Sequence, residues 1–467
     1  MFFFLFLSIF SCSKDTDLLA DYVVSTSKES LVVRNIFVDD SFIINGNETI
    51  FLDVLSNDTI VNPEGVRIVQ TTQPREGEVI IEESGISYSP NASTNTKEET
   101  TDTFTYTTET DETDGSTTTE ETKVVVTKIN DEVKYWKRLF DDNWEANDLA
   151  DALMRSKSRN RKQEYYWLGY YIDGLSSIWQ ATGDNLYLDE ALALIKNTTD
   201  DAISVGDGYK GWPSADNEEH GLWDSFYWRH VATLLRVMYQ SPDLRASGYQ
   251  SQYEELLNFS ENNIWNRYES KGTGKFYRSK THMASHWARI GMELHIITGK
   301  AKYKEIFENI SFKKMADRPS NLRDQLYSNP KNSAGYAWSM DWGKTSGSGM
   351  QDTSHAGAII EFWVLAYENN MYWTKKDIDA LIITLNEVIW TDPLKGNFIY
   401  IDGSGGYDRP GRMHEWLVLG RYDSKTQSKL KNGYIGKNQS NYGSQILGIA
   451  ALNAKVLTDD KAVYPEN

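Results

Sequence analysis

The chain has 467 residues but only one cysteine, Cys12, so it can form no intrachain disulfide. Basic residues are also scarce, with 48 Lys and Arg against 67 Asp and Glu and a formal net charge of −19. Because phosphate backbones need a basic face, this balance argues against nucleic acid as a partner. A Gly-x-Ser-x-Gly elbow is absent as well, which disfavours hydrolysis through a serine nucleophile.

The apolar segment MFFFLFLSIF at the start of the sequence is too short to span a bilayer, and it is followed closely by Cys12. It resembles a bacterial lipoprotein signal, which is removed before a lipidated cysteine. The letters SKD that follow resemble the tether of surface lipoproteins in Bacteroidetes-type bacteria. The resemblance implies a signal over residues 1–12, lipidation of Cys12 and a tether over 13–35. The expected location is the outer membrane at the cell surface, with a periplasmic or secreted protein as the alternative.

Between about residues 36 and 130, apolar residues alternate with polar ones, and Thr, Val and Ile are frequent. This period of two predicts short strands, which turn signals at 62–65 and 114–115 separate. The natural architecture is a small all-β sandwich. The predicted strands are ETIFLDVL, GVRIVQTT, GEVIIEES, GISYSP, DTFTYTTE and TKVVVTKI.

The words LDVLSND, TQPREGEV, ISYSPNA and TDTFTYT in this region resemble the cadherin-like repeat of bacterial surface proteins. In that family the module is a spacer or an adhesion element. The acidic stretch 109–121 does not have the spacing of a calcium-binding EF-hand loop, so we interpret it as a solvated hairpin.

From about residue 135 the apolar period becomes helical, as in YYWLGYYIDGLSSIWQ and FWVLAYENN. Each such helix ends in a polar turn that a second helix follows. The turns recur every 57 to 71 residues, at Thr182, Ser241, Thr298 and Asn369. Repeated helix pairs of this length predict a stacked or closed array, and the long loops before each first helix favour closure. We therefore predict an all-α (α/α) toroid over residues 135–460.

All seven histidines lie between His220 and His414. Histidines stand at the front of the apolar run in SFYWRHVATLL, HMASHWARIG, DTSHAGAIIEF and GRMHEWLVLG. Side chains at the same end of successive helix pairs are expected to gather on one rim of a toroid, where a cleft forms. His295 lies deeper in its helix, and we interpret it as structural.

His282 and His286 share one helix face, as zinc ligands do, but HMASH lacks the glutamate that follows the first histidine of the metalloprotease motif. We therefore predict no metal and no cofactor. Glycoside hydrolysis needs two carboxylates across a cleft, so a toroid glycosidase is an open alternative. Its candidate carboxylates are Asp224, Asp341, Asp352 and Glu415.

A rim rich in His, Tyr and Arg fits β-elimination on a uronic acid better. This reaction needs a base and an acid near neutral pKa, and a partner that neutralises the carboxylate and so acidifies C5. Arginine binds a carboxylate through two parallel hydrogen bonds. The prediction is a carbon–oxygen lyase that acts on glucuronate-type residues of an acidic, ulvan-like polysaccharide or its oligosaccharides.

The hairpin pattern over residues 140–455, with HMASHWARIG and QDTSHAGAI, resembles the alginate-lyase-like polysaccharide lyases. Those enzymes use an (α/α) barrel with Asn, His, Tyr and Arg at the site. The chain is also similar to marine flavobacterial enzymes that act on ulvan oligosaccharides, including dehydratases of a terminal glucuronate.

The predicted roles divide among the rim residues. The base and acid are His286 or His230 with Tyr227. The predicted substrate-binding residues are His282, His355, Arg229, Arg289, Arg412, His414, Trp223 and Trp338. A non-catalytic glycan-binding lipoprotein is the rival from another class; it would keep the aromatic cleft without needing the rim histidines.

Overall fold

The structure is a computed structural model, and it describes residues 35–44, 49–91, 100–112, 115–158, 161–212, 221–344, 349–408, 411–435 and 439–458. The predicted signal with Cys12, the predicted tether up to residue 34, and His220 lie outside the described residues. No helix in the part of the chain that the structure describes is both long and apolar enough to cross a membrane.

The N-terminal part is a sandwich of two sheets. Its strands are β1 (Asp40–Ile44), β2 (Ile50–Leu52), β3 (Val66–Thr71), β4 (Gly77–Ile81), β5 (Ile86–Pro90), β6 (Thr100–Asp111) and β7 (Thr117–Lys128). One sheet has the order β1-β7-β6-β3 and the other β2-β5-β4. All six predicted strands are present. Strand β1 was not predicted; it pairs in parallel with β7, where Asp40 lies opposite Val124.

Alternation of side chains places the sandwich core between the two sheets. Phe104 and Tyr106 on β6 and Val124 and Val126 on β7 are buried there, while the residues between them face outward. The Tyr106 hydroxyl donates a hydrogen bond to the backbone oxygen of Val54 at 2.8 Å. This core is separate from the core of the helical part.

Helices occupy the rest of the chain. They are α1 (Asp131–Asn143), α2 (Leu149–Ser156), α3 (Arg161–Thr182), α4 (Asn185–Asp200), α5 (Gly221–Tyr239), α6 (Pro242–Leu244), α7 (Gln250–Phe259), α8 (Arg267–Glu269), α9 (Thr281–Thr298), α10 (Ala301–Ser311), α11 (Thr353–Glu368), α12 (Lys375–Ile383), α13 (Ser424–Lys429) and α14 (Gln439–Thr458). A 3₁₀ helix spans His414–Arg421. Two-residue strand pairs lie in the loops: β8 (Ile203–Ser204) with β9 (Lys210–Gly211), β10 (Tyr327–Ser328) with β11 (Tyr336–Ala337), and β12 (Asn397–Phe398) with β13 (Tyr407–Asp408).

Six inner segments form a closed ring. In chain order α3, α5, α9, α11, the 3₁₀ helix and α14 each pack against the next, and α14 packs against α3. Outer helices cover them: α1 packs on α14, α4 on α3, α10 on α9, and α13 on the 3₁₀ helix. The predicted fold class, a small β-sandwich followed by an all-α toroid, is therefore confirmed. Because inner and outer helices alternate along the chain, the inner segments all begin at one rim.

Candidate active site

A buried polar side chain stands within the apolar run of every inner segment. These side chains are Asp173 on α3, Arg229 and His230 on α5, Arg289 and Glu293 on α9, Glu361 on α11, Glu415 on the 3₁₀ helix and Gln445 on α14. None of them is more than 6% exposed. We call this set the axial network, because its members meet inside the ring. Buried charges need partners, and the network supplies them across the ring.

Two arginines of the axial network are already paired with carboxylates. The Arg229 guanidinium donates to Glu415, and Arg289 forms an ion pair of 2.6 Å with Glu361. Arg289 also donates to the Thr233 hydroxyl at 2.9 and 3.0 Å. Each of these guanidiniums is fully buried and engaged with a protein carboxylate, so the binding of a substrate uronate by Arg229 or Arg289 stays a prediction that these contacts do not support.

His230 lies between two of these carboxylates. Its Nδ1 is 3.4 Å from Asp173 Oδ1 and 3.9 Å from Glu361 Oε1. Neither ring nitrogen has a hydrogen-bond partner. Burial, with Arg229 nearby, holds the pKa of His230 well below its usual range, so the ring is neutral at pH 7. One donor atom each from Asp173, His230 and Glu361 lie within 4.8 Å of one another, so this group could hold a metal ion.

His286 lies closer to the start of its helix, against Phe226. The ring centroids are 5.5 Å apart in an edge-to-face arrangement, and His286 Nδ1 is 3.3 Å from the Ser225 hydroxyl. Burial and the nearby Arg229 hold the pKa of His286 well below its ordinary value. The structure thus brings His230 and His286 to the inner face of the ring, and whether either acts as a base stays a prediction.

His282 and His355 meet at the rim, with ring centroids 4.6 Å apart. Asp352, the N-cap residue of α11, accepts from the backbone N–H of His355 at 3.0 Å and from its Nδ1 at 2.9 Å. This hydrogen bond raises the pKa of His355, and it lowers the pKa of Asp352 despite partial burial. Burial, with His355 nearby, lowers the pKa of His282 to about 4. The rim therefore carries an ionised carboxylate, Asp352, bonded to His355, and a neutral imidazole, His282, next to that pair.

Glu415 is the carboxylate with the most unusual surroundings. Burial raises its pKa to about 7, with smaller contributions from Glu361 and Asp173, although Arg229 acts in the opposite direction. Its side chain packs against Gly357 on α11, where an added Cβ would lie 2.8 Å from Glu415 Oε2. Gly357 is one helical turn after Thr353, which directly follows Asp352. Glu415, with a raised pKa, and Asp352, with a lowered pKa, therefore lie near the same end of α11.

Aromatic side chains form the wall beside Glu415. His414 stacks on Tyr442 with centroids 4.0 Å apart, and Tyr170 meets His414 edge-on at 4.9 Å. Burial lowers the pKa of His414 to about 3. Arg412 is exposed and lies near enough to Tyr442 to lower the pKa of its hydroxyl. These contacts place two predicted substrate-binding residues, His414 and Arg412, beside the same side chain, Tyr442.

Trp223 lines a separate pocket of about 270 Å³ near the start of α5. The other lining residues include Tyr268, Lys275, Arg278 and Met283. This pocket retains Trp223 as a candidate binding residue.

Two predicted site residues lie elsewhere. Tyr227 is fully buried in the helix layer, stacked on Tyr165 at 4.7 Å with its hydroxyl 3.3 Å from that of Thr198 on α4. Trp338 is 1% exposed and packs between Trp363 and Trp416. Both side chains are core residues, so the roles of Tyr227 as catalytic acid or base and of Trp338 in substrate binding stay predictions that this burial does not support.

Four members of the axial network were not predicted from the sequence: Asp173, Glu293, Glu361 and Gln445. The signal for three of them was present: each acid lies within an apolar helical run, in YYIDGLSSIW, IGMELHII and AIIEFWVL. A charged residue on the buried face of a helix is rare unless it is paired, so such positions indicate a buried polar network. Their partners come from distant helices, and the sequence does not reveal them.

Comparisons with known proteins concern the two parts of the chain separately. A family model for a bacterial Ig domain matches residues 34–127, which is the predicted cadherin-like module. A comparison with curated proteins found no match.

Among solved structures, an inactive variant of an α-1,6-mannanase from Salegentibacter sp. HEL1_6, bound to α-1,6-mannotriose, matches with a TM-score of 0.41 and 13% identity, over 70% of this chain and 100% of that one. A second variant, bound to α-1,6-mannotetrose, matches with a TM-score of 0.39 and 11% identity over the same shares. A family 76 glycoside hydrolase from a bovine Bacteroides thetaiotaomicron strain matches with a TM-score of 0.34 and 10% identity, over 80% of this chain and 86% of that one. The likeness is remote, and these activities belong to those proteins.

The prediction of a carbon–oxygen lyase is wrong. The matching solved structures are glycoside hydrolases. In the site itself, the arginines assigned to the uronate are paired with Glu361 and Glu415, and the assigned Tyr227 is a core residue. The likeness to alginate-lyase-like enzymes is not shown either.

Proposed function

We propose that the chain is a glycoside hydrolase whose general acid is Glu415. The observation that carries the proposal is the position of two carboxylates near the same end of α11, Glu415 with a raised pKa and Asp352 with a lowered pKa. Glycoside hydrolysis needs one protonated carboxylic acid for the leaving oxygen and one carboxylate as base or nucleophile. Glu415, with a pKa raised to about 7, fits the first role, and Asp352, with a lowered pKa, fits the second.

The surroundings of both carboxylates support these roles. Arg229 fixes the orientation of Glu415, and His355 fixes that of Asp352. Tyr166, Tyr170 and Tyr442 are partly exposed beside Glu415, and aromatic faces of this kind stack on sugar rings. Of the other carboxylates considered from the sequence, Asp224 accepts from the Tyr268 hydroxyl at 2.6 Å, and Asp341 pairs with Lys280, which lowers its pKa.

We further propose that the substrate carries negative charge, as a uronate or a sulfated sugar. The support is the Trp223 pocket, in which Lys275 and Arg278 lie beside an aromatic face. Anchoring through Cys12 at the cell surface is likewise a proposal, supported by the lipoprotein-like start of the sequence.

The test is an incubation of the full chain with neutral, uronate-rich and sulfated polysaccharides, following new reducing ends and the ultraviolet absorbance of unsaturated ends. Hydrolysis produces reducing ends without that absorbance. We expect Glu415→Gln to lower kcat/KM by at least about 100-fold, because proton transfer from a general acid typically contributes a factor of about 100 or more to the rate. It should also remove the fall in kcat/KM that the wild-type enzyme shows as pH rises through about 7.

Glu368→Gln is the matched control. Glu368 is a carboxylate on the same helix, α11, and pairs with Arg421 of the same 3₁₀ helix at 2.8 Å, but at the opposite end. Glu368→Gln should leave kcat/KM within about threefold of the wild-type value. Binding of a glycan without any release of reducing ends, or unsaturated products, would overturn the proposal.

A further inference from the structure

Asp173, His230 and Glu361 come from three inner segments of the ring and converge on one point. Their donor atoms lie within 4.8 Å of one another, and all three side chains are at least 92% buried. The sequence separates them widely, on α3, α5 and α11. We infer that these three residues bind a divalent cation of the zinc type, which links three inner helices at the floor of the ring.

The spacing of the donor atoms supports a tetrahedral ion. Zinc–ligand distances of about 2.1 Å place neighbouring ligands of a tetrahedron about 3.4 Å apart. His230 Nδ1 is 3.4 Å from Asp173 Oδ1 and 3.9 Å from Glu361 Oε1. The donor atoms of Asp173 and Glu361 lie within 4.8 Å of each other, so the carboxylates would have to rotate inward to reach the tetrahedral spacing.

Each carboxylate has its second oxygen held by a separate partner. Gln445 donates to Asp173 Oδ2 at 2.8 Å, and Arg289 pairs with Glu361 Oε2 at 2.6 Å. Metal-binding carboxylates are commonly oriented in this way by hydrogen bonds to the oxygen that faces away from the ion. The oxygens that remain, Asp173 Oδ1 and Glu361 Oε1, are the two that face His230.

The imidazole of His230 provides the independent observation. It is 1% exposed, and neither ring nitrogen has a hydrogen-bond partner. A buried polar atom without a partner costs free energy, and a metal ion on Nδ1 would remove that cost. One imidazole with two carboxylates suits zinc, whereas calcium and magnesium prefer all-oxygen sites.

The experiment uses the full chain after dialysis against a chelator. Zn²⁺ is then added, excess ion is removed, and bound zinc is measured by elemental analysis and by calorimetric titration. We expect about one zinc per chain for the wild-type protein, and an affinity at least about tenfold weaker for Asp173→Asn. Co²⁺ added to the dialysed protein should give the intense visible bands of a tetrahedral site.

Two control variants locate the ion. His282→Asn alters the pair that His282 and His355 form at the rim. His295→Asn alters a histidine away from the axial network, whose Nδ1 lies 3.2 Å from the Lys300 carbonyl oxygen. Both should bind zinc like the wild-type protein. If Asp173→Asn does not fold, as judged by circular dichroism, His230→Gln replaces it in the comparison.

Three results would overturn the inference: less than about 0.1 zinc per chain, equal binding by the folded ligand variants, or loss of binding in His282→Asn instead. The readout is metal content, so its failure is distinguishable from a failure of the proposed hydrolase activity.

Discussion

At the scale of single residues, Asp40 in the sandwich is the buried carboxylate with the clearest consequence. It is 4% exposed, its Oδ2 has no hydrogen-bond partner, and burial next to Asp58 raises its pKa to about 8. The folded state therefore holds this proton more tightly than the unfolded chain. The stability that the proton contributes is present at pH 4 and is lost as pH rises through about 8.

Asp40→Asn should therefore stabilise the sandwich at pH 8.5 by on the order of 3 kcal/mol and have little effect near pH 4. Unfolding free energies at several pH values measure the difference. The control is Glu83→Gln, at an exposed carboxylate of the same domain. If Asp40→Asn and Glu83→Gln changed the free energy of unfolding by the same amount at every pH, the raised pKa of Asp40 would be contradicted.

Two tryptophans should respond differently to truncation. Trp338 is fully buried among other indoles, so Trp338→Ala should cost about 3 to 5 kcal/mol of stability. Trp223 is half-buried at a pocket, so Trp223→Ala should weaken glycan binding while lowering stability by less than about 1.5 kcal/mol. Denaturant unfolding and binding titration separate the two effects, and equal losses of stability would show that Trp223 is a core residue as well.

At the scale of elements, the ring closes where α3 and α14 come into backbone contact. A Cβ on Gly448 would lie 2.3 Å from the Gly174 backbone oxygen, closer than any real Cβ contact. Gly448→Ala should therefore force the helices apart and cost about 1 to 3 kcal/mol. Gly274→Ala, where a Cβ would meet nothing within 4 Å, is the control, and thermal unfolding measures both. Equal melting temperatures would contradict the close contact.

The elements themselves were predictable because period and turn signals are local. The helical turns at Thr182 and Thr298 and the strand around Tyr88 follow from neighbouring residues. The strand β1 was missed because its pairing with β7 joins segments 84 residues apart, as the hydrogen bond from the Lys123 N–H to Asp39 shows. The site was only partly predictable for the same reason.

Histidines at helix starts indicated the rim, and His282 and His355 do meet there. The orientation of Tyr227 toward α4 depends on the rotation of a helix that is buried on nearly all sides, and the periodicity does not determine it. The Arg229 pairing with Glu415 joins helices 186 residues apart, so no local pattern reveals it.

At the scale of the whole molecule, the sandwich and the toroid have separate hydrophobic cores. We therefore expect two unfolding transitions in a calorimetric scan of the full chain. Asp40→Asn should shift the transition of the sandwich, and Gly448→Ala should shift the transition of the toroid. A single transition that both variants shift would show that the two cores unfold together.

The axial network also constrains how the ring forms. Arg229 meets its partner 186 residues later in the chain, and Asp173 meets Gln445 272 residues later. Until the last inner segment arrives, a partly assembled ring would bury these charges without partners. Folding should therefore wait for nearly the whole chain, and contacts of such long sequence separation make that step slow. During synthesis, the sandwich can fold as soon as it emerges, whereas the toroid stays open until its final helix is released from the ribosome.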